Sequence, residues 1–185
     1  IGDSRGAGLP DAPAHFGDND SAAPRYRREI HRATTRVLIE NAYFLDDEII
    51  HDLQGAVGRG VRTVVILPPD EGHDVPVVRD AFAWVKNDVV RSGVELYHYR
   101  GRMVHSKVAS FDGLVATVGS ANLDPLALHR LAEVNAFIPD ARFAAELERR
   151  VFVADLQASR RATGKELTWW QKVKGGALHF VRSFL

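Results

Sequence analysis

The chain has no cysteine. Disulfide frameworks, cysteine-ligated zinc, iron–sulfur clusters and thiol catalysis are therefore excluded. Charge of one sign is also missing: 24 Lys and Arg balance 24 Asp and Glu, so no global basicity advertises nucleic acid. No apolar run approaches the roughly 18–20 residues that a membrane span needs, and no signal peptide is visible. The first residue is Ile1 rather than Met, which reads as a fragment or a processed product. What is present is ordinary for a folded domain: 185 residues, 45% hydrophobic and 26% charged. That length buries a core without staples.

Residues 1–24 carry Gly2, Gly6, Gly8, Pro10, Pro13, Gly17 and Pro24 with little periodicity, and read as an irregular lead-in or linker. Beyond Pro24 the pattern turns helical, with Tyr26, Ile30, Ala33 and Val37 on one face. Arg25, Arg28 and Arg32 line another face, read as solvated. Apolar runs at 37–44, 61–67 and 94–99 predict strands, separated by helices near 46–58 and 78–92. Asp46 is the expected N-cap of the first of these helices. Runs 103–111 and 114–120 flank Asp112-Gly113, a strong hairpin signal. A strand at 133–138 and a helix capped by Asp140, with Phe143, Leu147, Val151 and Ala154 on one side, complete the pattern. The expected fold class is α/β: a mixed sheet, parallel early and antiparallel late, with helices on both faces.

The hairpin gathers chemistry. With Asp112 and Gly113 as a two-residue turn, Phe111 faces Leu114 and His105 falls opposite Ser120. His105 and Lys107 are two apart and share a face of the sheet. Ser120 and Asn122 join them if the strand continues through both. An imidazole, an ammonium, a hydroxyl and an amide suit a phosphate: three groups donate to its oxygens, and the histidine attacks or moves a proton. The plainer reading is a structural histidine, a solvated edge lysine and a Gly-Ser turn, and spacing alone leaves both open. Asp112 lies at the turn, roughly 17 Å from Lys107 at about 3.3 Å per residue, so its role is structural.

His105-Ser106-Lys107, four residues and Asp112, followed by Gly119-Ser120-Ala121-Asn122, resembles the HxKxxxxD…GSxN signature of the phospholipase D superfamily. VGSANLDP (118–125), EVN (133–135), residues 39–68 and 93–99 resemble the C-terminal catalytic half of bacterial cardiolipin synthases. The resemblance spans roughly 25–160. It implies a phospholipase D-like sandwich in which His105, Lys107, Ser120 and Asn122 line a phosphate site and Glu133 orients His105. It implies two facing motifs, a phosphohistidine intermediate, and no metal or organic cofactor. It also implies a phosphatidylglycerol-like substrate and a bacterial protein, peripheral to a membrane or cytoplasmic and membrane-associated. The usual DPRSxxxNxE continuation is altered: Leu126 and Ala127 stand for Arg and Ser, and Leu131 for Asn. Only one HxK occurs, so the chain supplies half a site, completed by an upstream half or by a second copy. A homodimeric phosphodiesterase or nuclease and a non-catalytic membrane-binding domain are the alternatives.

The last segment holds Arg160, Arg161, Lys165, Lys172, Lys174 and Arg182 against Glu166, six positive minus one negative, or +5. With Trp169, Trp170, Val173, Ala177, Phe180 and Phe184 it reads as a basic amphipathic tail over 161–185, suited to an anionic membrane or packed on the domain. His73 and Asp74 sit in the loop after the second strand, which reads as a plain surface loop, with a place at the rim of the site as the alternative. His15, His31, His51, His98, His129 and His179 show no metal-ligand spacing and receive no role.

Overall fold

The apolar runs become the middle of one mixed sheet because they are buried on both sides. The computed structural model describes residues 15–17, 19–69, 85–101 and 104–164. In chain order these form β1 (His15–Gly17), α1 (Asn19–Arg32), β2 (Arg36–Asn41), α2 (Asp47–Gly58), β3 (Arg62–Leu67), a helix α3 at 85–91, and β4 (Glu95–Tyr99). Then follow β5 (Lys107–Phe111), β6 (Val115–Gly119), α4 (Pro125–His129), β7 (Asn135–Ile138), α5 (Ala141–Leu147), a π-helical turn (Glu148–Phe152), α6 (Val153–Gln157) and β8 (Ser159–Arg161). The strands lie in the order β1-β7-β6-β5-β2-β3-β4-β8. Strands β2, β3 and β4 run parallel, and every other neighbouring pair is antiparallel. This is the expected division into a parallel and an antiparallel half.

Alternation divides the core in two. Val37, Ile39, Val65, Leu67, Ala109 and Phe111 face α1, α2 and α3, meeting Tyr26, Ile30, Ile49, Leu53 and Val89. Leu38, Val64, Ile66 and Val108 face the other way, onto Phe152, Leu147, Val151 and Leu156. Asp46 caps α2 through a 2.9 Å bond from the Ile49 amide.

Three expectations change. The irregular lead-in does not extend to Pro24: β1 pairs with β7 through His15 and Phe137, and α1 opens at Asn19 with Pro24 inside it. Proline deletes one helical hydrogen bond there, while Ala22, Ala23, Tyr26 and Ile30 on the same helix are buried. The helix after Asp140 turns a different face inward. Phe143 and Ala154 are exposed, whereas Phe152 is fully buried. The π turn inserts extra residue length and rotates the apolar stripe. Finally, the arginine face of α1 is not uniformly solvated: Arg25 is half-buried, pairs with Glu29 at 2.9 Å and lies 5.6 Å over the Phe137 ring. The tail from Lys165 onward and the His73–Asp74 loop lie outside the described residues.

Candidate active site

The hairpin turn sets which side chains meet. Asp112 and Gly113 both have positive φ, 56° and 68°, and the Leu114 amide donates to the Phe111 carbonyl at 3.0 Å. That is the geometry of a two-residue turn with both central residues left-handed. The ladder, however, pairs Phe111 with Val115, so Leu114 is an extra residue at the start of β6. Every later pair shifts by one: Val108 faces Val118 rather than Thr117. The simple register, with His105 opposite Ser120, is therefore corrected. Nor does the strand run through Ser120 and Asn122, because β6 ends at Gly119 and 120–122 are irregular.

Side-chain clamps hold this irregular segment. Asn41, the last residue of β2, donates from Nδ2 to the Ala121 carbonyl at 3.2 Å. Its Oδ1 accepts from the Leu123 amide at 3.2 Å and the Tyr43 amide at 3.1 Å. Asn135, the first residue of β7, accepts from the Ala121 amide at 3.1 Å. Gly119 must be glycine for space: a Cβ there would overlap the Asn135 amide and the Val134 carbonyl. The ends of β2 and β6 and the starts of β5 and β7 thus meet at one end of the sheet. Open α/β sheets place ligands at the carboxyl ends of parallel strands such as β2.

Lys107 and His105 converge there. Lys107 is buried and its ammonium donates to the His105 carbonyl at 2.8 Å. It lies 3.0 Å from His105 Nδ1 and 3.2 Å from Nε2. Burial holds the Lys107 pKa below its ordinary value, against the attraction of Glu133, which raises it. The His105 ring is exposed. The Ser120 hydroxyl donates to the Glu133 carboxylate and accepts from the Val134 amide at 3.1 Å. Asn122 is half-buried, and its buried Oδ1 has no hydrogen-bond partner among the described residues. Such a group is one that a polar ligand satisfies.

Asp112 sits at the far end of β5. Its carboxylate accepts five bonds, from the amides of Thr34, Thr35 and Arg36 and the hydroxyls of Thr34 and Thr35, at 2.8–3.0 Å. Burial pushes its pKa up, but the backbone donors from Arg36, Thr34 and Thr35 outweigh it and hold the carboxyl well below the usual range.

Sequence reasoning gave no role to Asn41, Asn135 or the pair formed by His129 Nε2 and Asp46 Oδ2 at 3.3 Å. Asn135 was visible inside EVN; Asn41 and His129 had no signal beyond their position near strand and helix ends. Among the described residues, no three His, Asp or Glu side chains gather as a metal site would require.

The sequence profile described as "Cardiolipin synthase, PLD-like domain" matches residues 26–152. The chain belongs to this phospholipase D-like family. Cardiolipin synthase B of Escherichia coli K12 is 36% identical over 170 residues, covering 89% of this chain and 41% of that protein. A cardiolipin synthase of Oceanobacillus iheyensis is 33% identical over 141 residues, covering 76% of this chain and 29% of its own length. The chain thus spans about two fifths or less of these curated relatives. Among solved structures, Nuc of Salmonella typhimurium, a phospholipase D family member, superposes with a TM-score of 0.71 at 19% identity, covering 81% of this chain and 97% of Nuc. NucT from Helicobacter pylori gives 0.69 at 15% identity, covering 81% and 99%. These two likenesses establish the phospholipase D-like fold.

Proposed function

We propose that the chain supplies one half of the active site of a phosphatidyl transferase of cardiolipin-synthase type. The observation that carries this is the exposed His105 ring beside the buried Lys107 ammonium, at 3.0 Å and 3.2 Å, in a chain of the cardiolipin synthase-like family. A phospholipid phosphodiester would sit over this sheet end. Lys107 and Asn122 would donate to its non-bridging oxygens, stabilising the charge that gathers there in the transition state, while Ser120 at the rim keeps its hydroxyl proton on Glu133. In this reading Asn122 presents its amide N–H₂ to phosphate and its oxygen to the substrate headgroup.

Two imidazoles are needed, one from each half. One attacks phosphorus: a P–N bond forms, the P–O bond to the leaving alcohol breaks, and the leaving oxygen takes a proton from the other imidazole. That second imidazole then removes the proton from the acceptor hydroxyl, whose oxygen attacks phosphorus and expels the first imidazole. As the C-terminal half, this chain would contribute His105 as general acid and base. Glu133 would hold the site's hydrogen-bond network from behind, through Ser120. A phosphatidylglycerol-like lipid serves as donor, and the partner half comes from the same protein or from a second copy.

The test uses the complete protein on phosphatidylglycerol vesicles, reading cardiolipin and glycerol by mass spectrometry. His105→Ala and Lys107→Ala are each expected to remove all but a few per cent of turnover, with circular dichroism unchanged. More than a tenth of the activity surviving in His105→Ala would sink the assignment.

A second reading has support in the near-complete coverage of Nuc and NucT, chains comparable in extent to this one. There the chain pairs with its own copy as a phosphodiesterase, and both His105 rings meet across a twofold axis. The balanced charge counts against a nucleic-acid substrate. Water-dependent hydrolysis of a small phosphodiester by a dimer of the complete protein, without transfer between lipids, would favour it.

A further inference from the structure

Behind the sheet, on the face away from Lys107, stands a charge that the proposed chemistry does not use. Glu40 lies on β2 in the second core, 2% exposed, between Ile66 of β3 and Val108 of β5. Its Oε1 accepts the hydroxyl of Ser106, the residue between His105 and Lys107. Its Oε2 is buried with no donor among the described residues. The Asp155 carboxyl of α6 lies within hydrogen-bonding reach. Two carboxyls facing one another without a donor cannot both be ionised at low cost; one proton between them makes a hydrogen bond and removes the repulsion.

We propose that Glu40 and Asp155 share one proton and that Glu40, through the Ser106 hydroxyl, is a positioning residue for His105 and Lys107. Its effect on turnover rests on the transferase reading above; the shared proton does not. The placement explains why a tether is needed. Strand β5 begins only at Lys107, so His105 and Ser106 lie outside the ladder. Ser106 points to the second core, as Val108 does, and fixing it fixes the backbone that carries the two site side chains on the other face. Burial above all, then Asp155, pushes the Glu40 pKa up to about 7, against the Ser106 hydroxyl, which lowers it.

The surroundings isolate the pair. The elements packed on this face bring apolar groups: Val64 and Ile66 from β3, Val108 from β5, Phe152 from the π turn and Leu156 from α6. Among the described residues, two further carboxylates stand on this face: Glu148, held by Arg36 and Ser110 at the opposite end of β2, and Glu95 of β4, held by Arg62 at 2.9 Å. The Tyr97 phenol of β4 donates to Glu95 at 3.2 Å.

The direction of the pH effect follows. An unfolded glutamate titrates at about 4.3. Between that pH and about 7 the folded chain holds a proton that the unfolded chain has lost, so this group's contribution to stability falls as pH rises and levels off above the folded value.

Glu40→Gln mimics the protonated acid permanently: its amide oxygen accepts from Ser106 and its N–H₂ donates to Asp155. Denaturant unfolding of the complete protein is followed from pH 5 to pH 8. The wild type is expected to lose at least about tenfold in its folded-to-unfolded ratio relative to Glu40→Gln over this range. Asp155→Asn should flatten the profile likewise. Parallel profiles for wild type and Glu40→Gln would overturn the shared proton. For the positioning role, Ser106→Ala is expected to lower kcat about tenfold with KM within threefold, a loss of alignment rather than of binding. Glu40→Ala should lower it further, and Glu40→Gln should restore most of what Glu40→Ala loses. A kcat equal to wild type in Ser106→Ala would overturn the positioning role. Full activity in His105→Ala would instead overturn the transferase reading, and the unfolding arm would still decide the proton pair.

Discussion

Replacing Asp112 by Asn removes one charge and almost no volume, and the structure says what that costs. Oδ1 accepts from the Thr35 amide, the Thr35 hydroxyl and the Arg36 amide; Oδ2 accepts from the amide and hydroxyl of Thr34. An asparagine keeps three of these bonds on its oxygen, now neutral instead of charged. Its N–H₂ then meets Thr34, whose hydroxyl can turn and accept but whose amide cannot. Bonds to charged groups contribute about 1.5–3 kcal/mol and neutral ones about 0.5–1.5. Weakening three and losing one, with Thr34 and Thr35 partly hydrated, gives about 2–3 kcal/mol. Backbone strain does not enter, because asparagine tolerates the left-handed φ of 56° as aspartate does. Asp112→Ala loses all five bonds and adds that strain, for about 4 kcal/mol. The assay is denaturant unfolding with turnover measured well below the melting temperature. Because hydrogen bonds depress the folded carboxyl's pKa, its contribution is complete above the unfolded value of about 3.9 and is lost as pH falls below it. The gap between wild type and Asp112→Asn should therefore hold steady from pH 5 to 8 and shrink below about pH 4. A change under about 0.5 kcal/mol, with turnover reduced a hundredfold, would refute a structural role and move Asp112 into the chemistry.

Gly119→Ala forces a Cβ into the Asn135 amide and the Val134 carbonyl, so stability should fall by about 1–3 kcal/mol and turnover with it; unfolding and kinetics read both. Lys107→Met keeps the length but not the charge: turnover should fall at least a hundredfold. The melting temperature should hold or rise, because burial already disfavours the ammonium. The tail from Arg160 to Leu185, at +5, should carry the complete protein onto anionic vesicles in co-sedimentation, less so as salt rises and less again in Trp169→Ala with Trp170→Ala. Equal recovery on neutral and anionic vesicles would refute this.

The fold was legible wherever burial is one-dimensional in the sequence. Residues 61–67 could hardly be other than a central strand, and β3 is Arg62–Leu67 with five of six residues buried. Asp46 and Asp140 announce their helices, and both carboxylates do cap them. Legibility failed where a single residue changes a phase. Leu114 adds one position to a turn whose two central residues look like a complete hairpin, and the register moves by one. The π turn does the same to the helix after Asp140, so Phe143 goes outside and Phe152 goes in. Pro24 stopped the reading because proline is a local signal; the burial of Tyr26 and Ile30 that holds α1 together is a tertiary one.

The site shows the same division between local and long-range information. His105 sits two residues before Lys107, where β5 begins, and their nearness needs only a locally extended backbone. Ser120 and Asn122 were joined to them by an assumed continuous strand, which ends at Gly119. What holds that segment instead is a pair of asparagines, 80 and 14 residues away from Ala121. Glu40 reaches Ser106 across 66 residues. Separations of that size leave no periodicity to find. The residues that could touch a phosphate were therefore visible in a motif of a few letters, while those that hold them still became visible only once β2 lay beside β5. The candidate site residues lie at the ends of β2, β5, β6 and β7, and their supports are Asn41 and Asn135 at strand ends and Glu40 on the opposite face of β2. The site is consequently only as rigid as the packing behind it.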